Sequence, residues 1–240
     1  MTLTVCLKGQ SSLILASDSR GTFGDPRSVT AQNDTLKKLY LVKNVGILTA
    51  GSEHGNIIIE GLLKSEQLEK ADGVTKIMQE IRNQAITKFN EWFSAFPFMP
   101  IPNQNPNFIR PTLQLSIVGY DEEKDRKVPK LYSMISNFNF TPNLHDYGFV
   151  LGGVPQYALY LLNRLYKENL SMRALKRLAS YVITETAAQD GKVGGPVQMA
   201  VIEERGTASY IDKMEIDKIF KMNLDIGSKL SGVFEENDGE

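Results

Sequence analysis

The chain is poor in the residues most used for redox chemistry and metal binding. Its 240 residues include one cysteine, Cys6, and two histidines, His54 and His145. A single cysteine excludes an intrachain disulfide, which suits a reducing cytosol, and its apolar neighbours mark Cys6 as a small core residue. Two histidines leave little for a histidine triad or a zinc site. Charge of one sign is also lacking: Lys plus Arg number 27 and Asp plus Glu 28, so the net charge of −1 offers no basic field for nucleic acid. No apolar run approaches a membrane span, and the N-terminus lacks the basic region and long apolar stretch of a signal peptide. These absences lead us to expect a soluble, cytoplasmic protein with no cofactor, no metal, and neither nucleic acid nor membrane as partner.

What is present is enough for an ordinary core, with 42% hydrophobic and 23% charged residues. Alternation from Thr2 to Leu7, a turn at Lys8-Gly9-Gln10 and a second run from Ser12 to Ser17 predict a hairpin. Leu39 to Val42 and Val45 to Ala50 predict two more strands. The period then changes. Ile57, Ile58, Ile59, Leu62 and Leu63 make one helical face, and Val74, Ile77, Met78, Ile81, Ala85, Phe89 and Trp92 make a longer one. Five of the ten prolines fall within Pro97 to Pro111, where a loop is expected. Strands return over Leu113 to Tyr120 and Leu131 to Ser136, with the charged stretch Asp121 to Lys130 read as the turn between them. Two helices follow, the second capped by Ser171, then a strand from Val197 to Ile202 and a short helix from Ile211 to Met222. Strands and helices in groups, rather than alternating, fit a layered α/β sandwich in one domain.

The start of the chain carries chemistry of its own. A small residue after the initiator permits methionine removal, and Thr2 would then hold a hydroxyl and a free α-amine on one residue. That amine titrates near pH 8, so it can accept a proton at neutral pH, and it is one recognised activator of a threonine hydroxyl. Asp18, Arg20, Lys38 and Gly51 all lie at or near the ends of the first four strands. A nucleophile, a carboxylate, an ammonium and a flexible backbone donor are the parts of an acyl-transfer site.

In order, Thr2-Leu3-Thr4-Val5, Ala16-Ser17-Asp18-Ser19-Arg20, Lys37-Lys38-Leu39-Tyr40 and Gly46-Ile47-Leu48-Thr49-Ala50-Gly51 resemble a proteasome β-type subunit, an N-terminal-nucleophile hydrolase. Ala187-Ala188-Gln189-Asp190, followed by Gly194-Gly195 and a strand, extends the resemblance. It covers residues 2–225 and implies an α+β fold, a four-layer αββα sandwich, with a Pro-rich loop at 94–111 and a short acidic tail at 226–240. It further implies Thr2 as nucleophile, Lys38 as the charge beside its hydroxyl, Asp18 as the partner of Lys38, and the Gly51 N–H as oxyanion donor. Asp190 would orient the Thr2 amine, and Arg20 would brace the loop carrying Asp18. Gly21, Leu36, Thr49 and Glu53 would line the adjacent substrate pocket, Gly21 and Thr49 leaving room for a long side chain and Glu53 favouring a basic one.

The function implied is a threonine-type endopeptidase. Its partners would be a peptide or unfolded-protein substrate, a homo- or hetero-oligomeric ring, and an ATPase or cap. A non-catalytic subunit of such a ring, or a stand-alone acyl-transfer enzyme such as a peptide ligase or amidase, are the alternatives. Two departures stand out. Where the family has serines near the threonine amine, this chain has Gly153 and Val193, and a serine at either place is expected to add one hydrogen bond there. The apolar residues Phe96, Phe98, Met99, Ile101, Phe108 and Ile109 of the Pro-rich loop are costly to expose and are expected either to be covered by a neighbouring subunit or to fold back on their own helix.

Overall fold

Among residues 2–23, 31–97 and 110–235, which the computed structural model describes, the chain forms twelve strands and six α-helices. The first hairpin is as expected: β1 (Leu3–Lys8) pairs with β2 (Ser12–Ser17). Around it lie β10 (Phe149–Gly153), β11 (Gln198–Glu203) and β12 (Ala208–Tyr210), giving a five-stranded sheet of order β10-β1-β2-β11-β12. A second five-stranded sheet runs β5 (Leu39–Val42), β6 (Val45–Gly51), β7 (Leu113–Glu123), β8 (Arg126–Ile135) and β9 (Asn143–Leu144). A two-stranded ribbon of β3 (Gly21–Phe23) and β4 (Ala31–Asn33) stands apart from both.

Strand alternation sends each sheet's side chains to two different cores. On β1, Leu3, Val5 and Leu7 pack with α4 (Gln156–Leu165) and α5 (Met172–Gln189), whose Ala158, Leu162, Leu175, Ala179 and Val182 complete that core. Cys6, on the opposite face, joins Leu13 and Leu15 of the first sheet and Leu39, Leu48, Val118 and Leu131 of the second. The far face of the second sheet packs on α1 (His54–Leu62), α2 (Glu66–Lys70) and α3 (Val74–Phe93) through Ile47, Leu115, Ile117, Ile58, Ile77, Ile81 and Phe89. Each such side chain, once fully buried, contributes about 1.5–3 kcal/mol. Ser171 and Ser65 cap α5 and α2, their hydroxyls accepting from the Ala174 and Leu68 N–H at 3.3 Å.

Two boundaries differ from the sequence reading. The stretch Asp121 to Lys130 is mostly strand, not turn: Asp121, Glu122 and Glu123 pair with Val128, Lys127 and Arg126, and the chain reverses at Lys124 and Asp125, both with positive φ. The charges mark strand that projects beyond the core, stitched by Lys127–Glu122 and Lys130–Glu123 ion pairs. The last helix, α6 (Lys213–Glu235), is longer than the expected 211–222 and runs past residue 226, the expected start of the tail. Asn223 explains the continuation: it is 3% exposed and donates from Nδ2 to the Arg177 carbonyl of α5 at 3.2 Å. Of the apolar residues in the Pro-rich loop, Phe96 packs against the α3 core, while Phe98, Met99, Ile101, Phe108 and Ile109 lie outside the described residues.

Candidate active site

Thr2 sits where β1 begins, on the same face of the strand as Cys6 and so toward the second sheet. It is 5% exposed, and its carbonyl accepts the Val154 N–H at 2.9 Å. It lines a cavity of about 310 Å³ together with Arg20, Gly21, Leu36, Lys38, Thr49, Gly51 and Glu53. Seven other residues chosen from sequence therefore meet Thr2 at one cavity. Four lining residues had not been chosen, Thr22, Ala50, Ser52 and Asn56; Asn56 takes the Thr49 hydroxyl at 2.6 Å.

Asp18 lies behind this wall, fully buried, and its carboxylate is saturated. Oδ1 accepts the Lys38 ammonium at 2.8 Å and the Leu3 N–H at 3.0 Å; Oδ2 accepts the Gly194 N–H at 3.1 Å and the Arg20 N–H at 3.2 Å. One charged group thus fixes the residue after Thr2, the lysine and the late glycine turn. Lys38 also donates to the Arg20 carbonyl at 2.6 Å. Burial pulls its ammonium below the ordinary lysine value, and the Asp18 carboxylate offsets only part of that. Lys37, by contrast, is exposed and has its ammonium over the Tyr40 ring, so strand parity selects Lys38 for the cavity.

Backbone alternation also orients Gly51. Thr49 N–H bonds the Lys38 carbonyl at 3.0 Å on the β5 side of β6, and Ser52 N–H bonds the Thr112 carbonyl at 2.9 Å on the β7 side. Gly51 N–H, two residues from the first and one from the second, points to the β5 side, beyond the end of β5 and toward the cavity. Glycine is required there: φ is +89°, and a β-carbon would lie 2.3 Å from the Thr112 carbonyl oxygen.

Arg20, expected to brace the Asp18 loop, takes a partner that sequence reasoning missed. Its guanidinium forks onto Asp34, Nε to Oδ1 at 2.8 Å and Nη2 to Oδ2 at 2.9 Å, and Nη1 donates to the Gly191 carbonyl at 3.0 Å. The pairing holds Asp34 below the usual carboxylate range. Asp190 does not line the cavity. Its Oδ1 accepts the Lys192 N–H at 2.9 Å, closing its own turn at the end of α5.

The expectation for Gly153 fails on space. Gly153 has φ +88°, and a β-carbon on it would stand 1.7 Å from the Thr2 carbonyl oxygen. Gly153 therefore cannot take a serine without displacing the Thr2 backbone. Val193 is fully buried in the apolar core beneath α5. Among the described residues, no group of three or more His, Cys, Asp or Glu stands together to hold a metal ion, and no helix is long and apolar enough to cross a membrane.

No protein-family model matches the chain, and neither does any curated protein sequence. Solved structures do match. Anbu from Yersinia bercovieri, described as an ancestral β-subunit, superposes with a TM-score of 0.71 at 17% identity, covering 99% of this chain and 98% of that one. Anbu from Hyphomicrobium sp. strain MC1 gives 0.68 at 16% identity with 99% of each chain covered, and its Gly-1 mutant 0.69 at 16% with 100% and 99% covered. The resemblance to proteasome β-type subunits is corrected accordingly: these neighbours are Anbu proteins. At this identity the likeness carries the fold, an α+β, proteasome-like β-subunit fold.

Proposed function

We propose that this chain is an N-terminal-nucleophile hydrolase, a four-layer αββα sandwich that cleaves peptide bonds with Thr2 as a threonine-type nucleophile. The observation that carries the reading is the meeting of Thr2 and Lys38 at one cavity, with buried Asp18 bonded both to Lys38 and to the residue after Thr2. Removal of Met1 frees the Thr2 amine, which takes the hydroxyl proton as Oγ attacks the carbonyl carbon. The Lys38 charge favours the forming alkoxide, and the Gly51 N–H receives the tetrahedral oxyanion, a kind of donor worth about 3 kcal/mol of barrier. Collapse expels the amine product, which carries away the proton, and leaves an ester on Thr2 that water hydrolyses. Asp18 holds Lys38, Arg20 holds the Asp18 loop, and Asp190 keeps only its own turn.

Gly21, Leu36, Thr49 and Glu53 form the substrate wall in this reading, with exposed Glu53 at the mouth drawing a basic side chain. The substrate is a peptide or unfolded chain. Confinement in a homo- or hetero-oligomeric ring, served by an ATPase or cap, belongs to the same proposal, and native mass tests it: a strict monomer favours the stand-alone acyl-transfer enzyme.

The deciding experiment is intact mass of the protein from its own cell, followed by a peptide epoxyketone that bonds both the hydroxyl and the amine of an N-terminal threonine. We expect a chain starting at Thr2 and one adduct, absent in Thr2→Ala and strongly slowed in Lys38→Ala. Normal peptide cleavage with Met1 fully retained, or undiminished in Thr2→Ala, places the nucleophile elsewhere. A second reading, the non-catalytic subunit, is favoured by the missing hydroxyls at Gly153 and Val193; a Met1-free wild type that never takes the probe would select it.

A further inference from the structure

The Lys38 ammonium has its two acceptors, but a lysine is only as well placed as the backbone that carries it. Lys38 precedes β5, at the end of a sheet edge, where a strand usually frays. Here both polar groups of its backbone are held. Its carbonyl accepts the Thr49 N–H of β6 at 3.0 Å, within its own sheet. Its N–H donates to Oε1 of Gln198 at 3.1 Å, and Nε2 of the same side chain donates to the Leu36 carbonyl at 2.5 Å. Gln198 belongs to β11 of the other sheet, paired there with Ser17, the residue before Asp18. The primary amide therefore does for residues 36–38 what one peptide of an adjoining strand would do, one donor and one acceptor at the right spacing.

We propose that Gln198 is the positioning residue for Lys38: its amide pins the edge of the second sheet to the first and so sets the height of the ammonium against Asp18 and Thr2. The inference rests on the role given to Lys38 above. The short bond to Leu36 extends the same control to the substrate wall, because Leu36 lines the cavity.

The test uses Gln198→Met, which keeps the length and removes both bonds, and Gln198→Glu, which keeps an acceptor for the Lys38 N–H and removes the donor to Leu36. Hydrogen exchange at the Lys38 amide should quicken about tenfold in Gln198→Met and stay protected in Gln198→Glu. Competitive acetylation of the Lys38 amine across pH should give a higher titration point in Gln198→Met, nearer an ordinary lysine, because a loosened side chain is less buried. The saturating rate of epoxyketone addition should fall about tenfold in Gln198→Met, yet not fall further when Gln198→Met is added to Lys38→Ala.

An unchanged Lys38 exchange rate and acetylation profile in Gln198→Met overturns the proposal, and so does an equal loss of rate with and without Lys38. Should Gln198→Met fail to fold, an exposed Lys38 amide in Gln198→Glu does the same. A wild type that never takes the epoxyketone, but whose Lys38 profile shifts in Gln198→Met, sinks the Thr2 mechanism and leaves the positioning of Lys38 by Gln198 supported.

Discussion

The carbonyl oxygen of Thr2 occupies the space where a side chain on Gly153 would begin, 1.7 Å from the position of its β-carbon. The two residues belong to the end of one strand pair, where Leu3 lies opposite Gly153 and Val154 N–H reaches the Thr2 carbonyl at 2.9 Å. Any side chain at 153 must push the Thr2 backbone away. Gly153→Ser and Gly153→Ala should each lose about 2–4 kcal/mol in denaturant unfolding, combining steric overlap with a strained positive φ. They should also stop taking the epoxyketone. A serine variant that folds normally and reacts faster would mean this end of the strand pair is built differently.

Asp18 is the residue whose removal should cost most. Asp18→Ala leaves the buried Lys38 ammonium without its counter-charge and the Leu3 and Gly194 N–H groups without their acceptor, and loss of one partner of a buried pair costs about 3–5 kcal/mol. Asp18→Asn should cost less, since an amide oxygen still accepts some of those donors. Chemical denaturation of both variants checks the order. If Asp18→Asn proves the worse, the carboxylate is not the hub of this network.

The pH dependence follows from Lys38. Acylation should rise as the Thr2 amine loses its proton near pH 8, then fall as Lys38 loses its own, at a pH below about 10.4, the ordinary lysine value. Stability carries the matching sign. The folded state holds the Lys38 proton less tightly than the unfolded state, so between the two values the unfolded chain binds more protons and stability rises with pH. The burial penalty is in force below the folded value and gone above the unfolded one. Lys38→Met should remove that rise, which wild-type and variant unfolding curves across the window can test.

Asp34 should matter for rate more than for folding. Its ion pair with Arg20 is partly open to water, with Asp34 41% exposed, so its screening by solvent is strong. Asp34→Asn weakens the grip on the Asp18 loop by about one charge-assisted bond, and epoxyketone addition should slow about threefold to tenfold with no measurable change in melting temperature. A large drop in melting temperature would make the clamp a folding element instead.

Glu53 is exposed and lines the same cavity as Thr2, the place the proposed function gives to a basic substrate side chain. Glu53→Gln should lower kcat/KM for peptides carrying Lys or Arg by a few-fold and leave apolar ones unchanged. The preference should shrink with added salt, as a screened surface attraction does. Equal losses for both peptide classes would remove Glu53 from recognition.

Much of the site could be read from the sequence because its parts are short and local. Thr2, Asp18, Lys38 and Gly51 each sit at or near a strand end that apolar alternation reveals, and hairpin pairing brings the first two together. What stayed hidden acts across long separations. Asp34 sits in an ordinary polar loop, and only the fold shows that it faces Arg20. Gln198 is a polar residue at the start of a strand, with nothing in its neighbours to name residues 36 and 38 as its partners. Gly153 was misjudged for the converse reason: a glycine in place of serine reads as a lost hydroxyl until its positive φ and its distance to Thr2 are known. The Asp121 to Lys130 stretch misled because a strand beyond the core has no apolar face to betray it.

Cys6 is wholly enclosed between the two sheets, and burial pushes its thiol well above the ordinary range. While the sheets stay together, a thiol reagent finds nothing to react with, so covalent adducts on the folded chain are not thioethers of Cys6. The same enclosure makes Cys6 an internal clock. Its slow modification would record how often the layers part, at one atom a few residues from Thr2 and without any label being added.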